Sequence, residues 1–246
     1  VTALLGLEFS DLDLGGATEA LASRGSDSPF AYLVTPNADH LVRLHRDPSR
    51  YGPLYRDARW RLLDSRFVAR LGRAMGLSVP PVVPGSDLTA RLFGQVLGAS
   101  ECVAVVGGRA TTVAALRTRF GLRNLLHHDP PMGFENDAAA FAAAIEFVEG
   151  AGARFIFLAV GSPRQEMLAR ALARRGMARG TALCIGASLL FLSGEERRAP
   201  HPVQRAGLEW AWRLAQDPRR LAGRYLRDDP EILSLLWRER SARRLQ

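Results

Sequence analysis

Phe155-Ile156-Phe157-Leu158-Ala159-Val160 runs without a break into Gly161-Ser162-Pro163-Arg164-Gln165-Glu166. Six apolar residues in a row, rich in aromatic and β-branched types, read as a short strand buried on both faces. Glycine followed by serine and proline reads as a tight turn and a helix start. A doubly buried strand that feeds directly into a helix belongs to a largely parallel sheet flanked by helices.

The same pattern recurs on both sides of this stretch. Segments 31–35, 60–63, 102–106 and 182–185 read as further strands, and 39–45, 65–75, 87–97, 112–120, 137–150 and 163–175 as helices. The fold class is therefore α/β. Strand order does not follow from the pattern. Gly76–Gly85, rich in proline, reads as a loop, and a boundary near Gly194 separates an α/β body, residues 1–194, from a helical appendage, residues 195–246.

With 246 residues and 47% hydrophobic content, the chain can bury one substantial core. The formal net charge is +8, and every basic residue is arginine. Residues 197–246 hold 12 arginines against 6 acidic residues, so the basic excess sits in the appendage. Cys102 and Cys184 lie in separate apolar runs with no CxxC spacing and are expected to be free thiols. The amino terminus shows no basic-then-apolar signal pattern and no apolar run nears the ~20 residues of a bilayer span, so the expectation is a protein made and kept inside the cell.

In an open α/β sheet, ligands gather at the carboxyl ends of the strands. Four such ends carry polar or glycine-rich turns. Thr35 and Asn37, after the first strand, either bond a sugar or pyrophosphate or simply cap a helix. Asp64 either serves as a general base or caps the next helix. Gly107-Gly108 lets a diphosphate approach the backbone at a helix N-terminus, yet lacks GxGxxG and GK[ST] spacing and establishes only a tight turn. In the last turn, Ser162 at N-cap, Pro163 at N1 and Gln165 at N3 predict a capping box. Arg164 is out of place at a helix N-terminus, a conflict that an anionic ligand would resolve.

Metal binding is not expected. Asp11-Leu12-Asp13 has the letters of a DxD motif in the wrong context, and His127-His128-Asp129 is contiguous, so it cannot share one helix face; it reads as a strand-to-loop exit, with a substrate role as the alternative. In the appendage, arginines alternate with Trp210, Trp212, Leu214, Leu221 and Tyr225. This mixture suits an interfacial membrane helix, an RNA-binding surface, or helices packed on the body with solvated arginines.

Taken in order, Thr35-Pro36-Asn37, Asp64, Gly85-Ser86-Asp87-Leu88, Gly107-Gly108, Gly161-Ser162-Pro163-Arg164-Gln165-Glu166, Arg198-Ala199-Pro200, Gly207-Leu208-Glu209-Trp210 and Asp217-Pro218-Arg219-Arg220 with Arg224-Tyr225 resemble the WecG/TagA/CpsF family, glycosyltransferase family 26. The resemblance runs through nearly the whole chain. It implies a Rossmann-like body and an inverting, metal-independent, cofactor-free enzyme. The donor would be a UDP-activated hexose or N-acetylmannosamine-type sugar, and the acceptor a polyprenyl-diphosphate-linked saccharide of cell-surface polysaccharide synthesis. It implies Asp64 as catalytic base with Thr35 and Asn37 beside it. Gly107, Gly108, Gly161, Pro163 and Gln165 would hold the donor, Asp87 would stand on the acceptor side, and Arg213, Arg220 and Arg224 would close over the diphosphate as the tail docks on the inner face of the cytoplasmic membrane. Ser65 stands where the family often has glycine, and Leu190 about where it often has an acid.

Three rivals follow. An RNA-binding module would use the basic tail, but no ribonucleoprotein motif is present, so no nucleic acid is expected. A nucleotide-dependent oxidoreductase would need a dinucleotide fingerprint. A catalytically degenerate scaffold of a polysaccharide assembly complex would accommodate Leu190. A homo-oligomer stays open, because tail docking onto a neighbour is compatible with the same sequence.

Overall fold

A computed structural model describes residues 1–206, 208–219 and 231–243. An antiparallel hairpin, β1 (Thr2–Leu4) and β2 (Leu7–Phe9), precedes α1 (Leu14–Ala22). The body continues through β3 (Ala31–Val34), α2 (Ala38–Arg46), α3 (Pro48–Arg56), β4 (Trp60–Arg61), α4 (Arg66–Ala74) and α5 (Gly85–Gln95). Next come β5 (Cys102–Val106), α6 (Ala110–Phe120), β6 (Asn124–His128), α7 (Ala138–Gly150), β7 (Phe155–Leu158), α8 (Arg164–Arg175), β8 (Thr181–Cys184) and α9 (Ser188–Ser193). The appendage supplies α10 (His201–Arg205), α11 (Glu209–Gln216) and α12 (Glu231–Arg243).

Among the described residues, β3 to β8 form a six-stranded, all-parallel sheet in the order β4-β3-β8-β7-β5-β6. Period-two alternation sends its side chains into two cores. Tyr32, Val34, Ile156, Leu158, Ala182 and Cys184 pack toward α2, α3, α7 and α8. Leu33, Val103, Val105, Phe155, Phe157 and Leu183 pack toward α1, α5, α6 and α9. Phe155 to Leu158 are all buried, as a continuous apolar run between two helical layers requires.

The expected strands and helices are all present, with ends shifted by a few residues. The segment at 60–63 pairs over Trp60–Arg61 alone and then bridges Leu63 to Val82. Several elements carry no clear signal in the sequence. β6 ends at His128, as the strand-to-loop exit expected there requires, but it lies at the sheet edge, where Leu125 is buried and Leu126 exposed, so its apolar run is broken. α1 contains Gly15-Gly16 and α3 contains Pro53, residues that speak against a helix on propensity. Both start on aspartate caps: Asp13 accepts from the Gly16 amide and Asp47 from the Arg50 amide.

The appendage packs on the body. The Phe67 and Trp210 rings lie 6.5 Å apart, and Arg70 donates to the Ala206 carbonyl. Arg66 pairs with Asp87 at 3.3 Å and with Glu209 at 3.2 Å, while Arg198 pairs with Asp87 and, at 3.6 Å, with Glu209. At the far end of the tail, α12 buries Ile232, Leu235 and Leu236. Glu239 there accepts from the Leu5 amide at 2.6 Å in the β1–β2 turn, and Arg46 of α2 pairs with Glu231 at 2.7 Å. No described helix is long and apolar enough to cross a membrane.

Candidate functional site

A cavity of about 560 Å³ opens at the carboxyl ends of β3, β4, β7 and β8. Adjacent parallel strands deliver their exit turns to one place, so residues far apart in sequence meet there. Thr35, Asn37, Asp64, Gly161 and Gln165, all anticipated from the sequence, line it together.

Asp64 follows β4. Its backbone amide donates to the Pro36 carbonyl at 3.0 Å, and its Oδ2 accepts from the Gly85 amide at 3.2 Å. The capping alternative fails for a specific reason: Ser65 occupies the N-cap of α4 and accepts from the Val68 amide at 3.1 Å. The residue that departs from the family pattern thus takes the capping role and leaves the aspartate to the cavity. Thr35, 7% exposed, donates from Oγ1 to the Cys184 carbonyl at 3.4 Å and stands against Gly85, where a Cβ would approach its hydroxyl to 3.0 Å. Asn37 combines both of its readings: it caps α2, accepting from the His40 amide at 3.4 Å, and it lines the cavity.

The β7 turn corrects one expectation. Ser162, Pro163 and Gln165 form no capping box; Pro163 itself takes the N-cap position of α8 with no side-chain cap. The two polar groups are engaged elsewhere. Ser162 Oγ accepts from Arg43 Nη1 at 3.0 Å, and the Gln165 amide bonds Gly186 and Glu166. Pro163 shapes the turn but is not among the residues lining the cavity. Arg164 folds back, its Nη1 2.9 Å from the Met132 sulfur and its Nη2 beside Gly161.

Gly107 and Gly108 sit at the same end of the sheet but do not line this cavity. Both have positive φ, 86° and 79°, and a Cβ on Gly107 would stand 2.6 Å from Val160. Glycine is demanded there by contact with the chain leaving β7. At the following helix start, Glu195 accepts from the Thr112 hydroxyl and pairs with Arg109 at 3.8 Å, so the chain's own carboxylate stands beside the α6 N-terminus. Asp87 lies between Arg66 and Arg198, at the seam between body and appendage, and is not a lining residue. Burial alone would lower the Arg198 pKa, but the hydrogen bond and charge of Asp87 with Glu209 nearby raise it. Arg213 lies on α11, its side chain outside the described residues; Arg220 and Arg224 also fall outside them.

The appendage contributes to the cavity wall directly, through Glu196, Glu209, Trp210, Gln216 and Asp217. A model of the glycosyl transferase WecG/TagA/CpsF family matches residues 2–246. The chain belongs to the WecG/TagA/CpsF glycosyl transferase family. As a member of this family it is an enzyme that transfers sugars, in the synthesis of cell-surface polysaccharide. The family assignment points in general to a sugar-nucleotide donor and a lipid-linked acceptor.

Several family-member side chains at the cavity escaped a reading by strand ends. Asp39 and His40 sit on the first turn of α2, and Glu196 and Asp217 lie in connections after α9 and α11. Glu209, Trp210 and Asp217 belong to the motifs that carry the family resemblance, and all three line the cavity. Glu196 matters most, because its amide donates to the Leu190 carbonyl at 3.1 Å. The chain that lacks an acid at Leu190 brings a carboxylate to the cavity six residues later.

Proposed function

We propose that this enzyme moves an N-acetylmannosamine-type sugar or a hexose from UDP to a hydroxyl of a polyprenyl-diphosphate-linked saccharide, with inversion at the anomeric carbon. Residues 1–194 act as the catalytic body and 195–246 as the appendage. One observation carries the reading: a cavity-lining aspartate at a strand end, held by a backbone amide and relieved of capping by Ser65.

In the transfer, Asp64 takes the proton of the acceptor hydroxyl as its oxygen forms the bond to the anomeric carbon. The bond from that carbon to the diphosphate breaks, and its electron pair leaves with UDP. Thr35 and Asn37 position the sugar. Arg213, Arg220 and Arg224 neutralise the leaving diphosphate in place of a metal ion. Gly161 and Gln165 hold the donor, with Pro163 shaping the turn and Gly107 supporting it from behind against Val160.

Docking on the inner face of the cytoplasmic membrane is supported by α12, which exposes Leu233 and Trp237 one turn apart and sets the Arg240 guanidinium 5.5 Å from the Trp237 ring. Apolar side chains beside arginines suit an anionic lipid surface.

The test is UDP release from a panel of UDP-sugars with short-chain polyprenyl-diphosphate glycans, in EDTA, with Asp64→Ala beside the wild type. Acceptor-dependent release that collapses in the variant is the expected result and names the donor. UDP binding without release from any pairing would move the reading to the scaffold. Absence of UDP binding would overturn it.

A further inference from the structure

Beneath the cavity floor, in the first turn of α8, the fold keeps a carboxyl group that the transfer chemistry does not use. Glu166 is 1% exposed. Its Oε1 accepts from Gln165 Nε2 at 2.8 Å, and the carboxyl also faces the Ser162 side chain, with the Arg43 charge nearby. Burial pushes its pKa up. An apolar residue would occupy this interior position without that desolvation.

The neighbouring side chain supplies a reason to retain it. Gln165 is 3% exposed and lines the cavity. Its Oε1 accepts from the Gly186 amide at 2.9 Å, at the exit of β8. A glutamine amide has one acceptor oxygen and two donor hydrogens on nitrogen. In the observed orientation both partners are satisfied. Flipped, the amide would set its oxygen against the Glu166 carboxyl and its NH₂ against the Gly186 N–H, losing both bonds. The Nε2 hydrogen left over is the one available to a ligand. With a proton on Oε2, Oε1 stays an acceptor and the observed orientation persists, and the Gly186 N–H opposes the flip in either protonation state.

We propose that Glu166 is a positioning residue that locks the Gln165 amide with its nitrogen serving the cavity, so that the ligand must offer an acceptor there, a carbonyl or phosphate oxygen. The identity of that ligand as a nucleotide sugar rests on the transferase reading; the lock itself does not.

The experiment compares wild type, Glu166→Gln, Glu166→Leu, Gln165→Ala and the Glu166→Leu/Gln165→Ala double variant. Two readouts are taken: kcat/KM for the UDP-sugar, and hydrogen exchange of the Gln165 side-chain amide by NMR, its signal assigned by loss in Gln165→Ala. Glu166→Gln keeps an acceptor and is expected to stay within about threefold of wild type, with the amide protected. Glu166→Leu is expected to lose ~10-fold or more, the worth of one hydrogen bond, with a fast-exchanging amide and a Tm within about 3 °C of wild type. The double variant should be no worse than Gln165→Ala. Protected exchange in Glu166→Leu, additive losses, or equal damage from Glu166→Gln would overturn the proposal. Were the wild type to transfer no sugar, the proposed function would fall while the exchange arm still decided this one.

Discussion

Two glycine turns at the same edge of the sheet look alike in sequence and differ in the structure. Each follows a buried strand and opens a helix: Gly161 after β7, Gly107-Gly108 after β5. The β7 turn lines the cavity, whereas the β5 turn packs against Val160 and meets Glu195 at its helix start. A local pattern therefore specifies a tight turn, and the neighbouring strands decide whether that turn serves a ligand. β7 lies beside β8 and one strand from β3, whose exits complete the cavity; β5 lies beyond it, toward the β6 edge.

The sharpest way to break this contrast is to remove a carboxylate from each end. Asp64→Asn is expected to lower kcat by roughly 10²–10⁴-fold, the range for a general base. Glu195→Gln, at the β5 end, should change it by less than about threefold. Equal losses in a steady-state assay would mean that both ends belong to one site.

Next in size is a stability effect with the opposite ranking. Gly107→Ala must accept both a positive φ and a 2.6 Å approach to Val160, and is expected to cost roughly 2–4 kcal/mol in urea unfolding. Gly161→Ala faces the same φ penalty, but its close neighbour is the movable end of Arg164, so about 1–2 kcal/mol is expected. Its larger consequence should be on donor KM. Equal destabilisation by the two would remove the packing argument for Gly107.

A smaller effect separates the buried carboxyl beside Gln165 from surface ones. Because burial raises the Glu166 pKa above its ordinary value of 4.5, its contribution to stability is fully present below pH 4.5. That contribution is lost as pH rises toward the higher pKa of the folded state. Relative to Glu166→Gln, the wild type should therefore lose stability as pH climbs from 4.5. A flat difference between the two unfolding curves would contradict this.

The same contrast shows what was legible in the sequence. Strands such as 102–106 and 155–160 declare themselves because two-sided burial leaves no polar residue in the run. Asp64, Thr35 and Asn37 are legible as strand-end residues, and their meeting follows once the sheet is parallel. Asp39, His40, Glu196 and Asp217 are not, since they come from helix starts and connections whose placement depends on tertiary packing. Ser162 and Gln165 fit a capping box by spacing alone, but Arg43, Gly186 and Glu166, all distant or buried partners, claim their side chains first. Asp87 shows the reverse problem: its motif marks it, and only the two arginines around it reveal that it fastens the appendage.

The register of the sheet also has a consequence in time. β3 emerges first among the sheet strands and β8 last, yet they are direct neighbours, Ala31 opposite Thr181, and the cavity straddles their exits. Even the hairpin turn at Leu5 finds the carboxylate of Glu239 only across 234 residues of chain. A nascent chain on the ribosome thus holds the outer strands of its sheet well before it holds a site. The centre closes only when the last sheet strand slides in beside the first, an ordering expected to make such long-range parallel pairing slow.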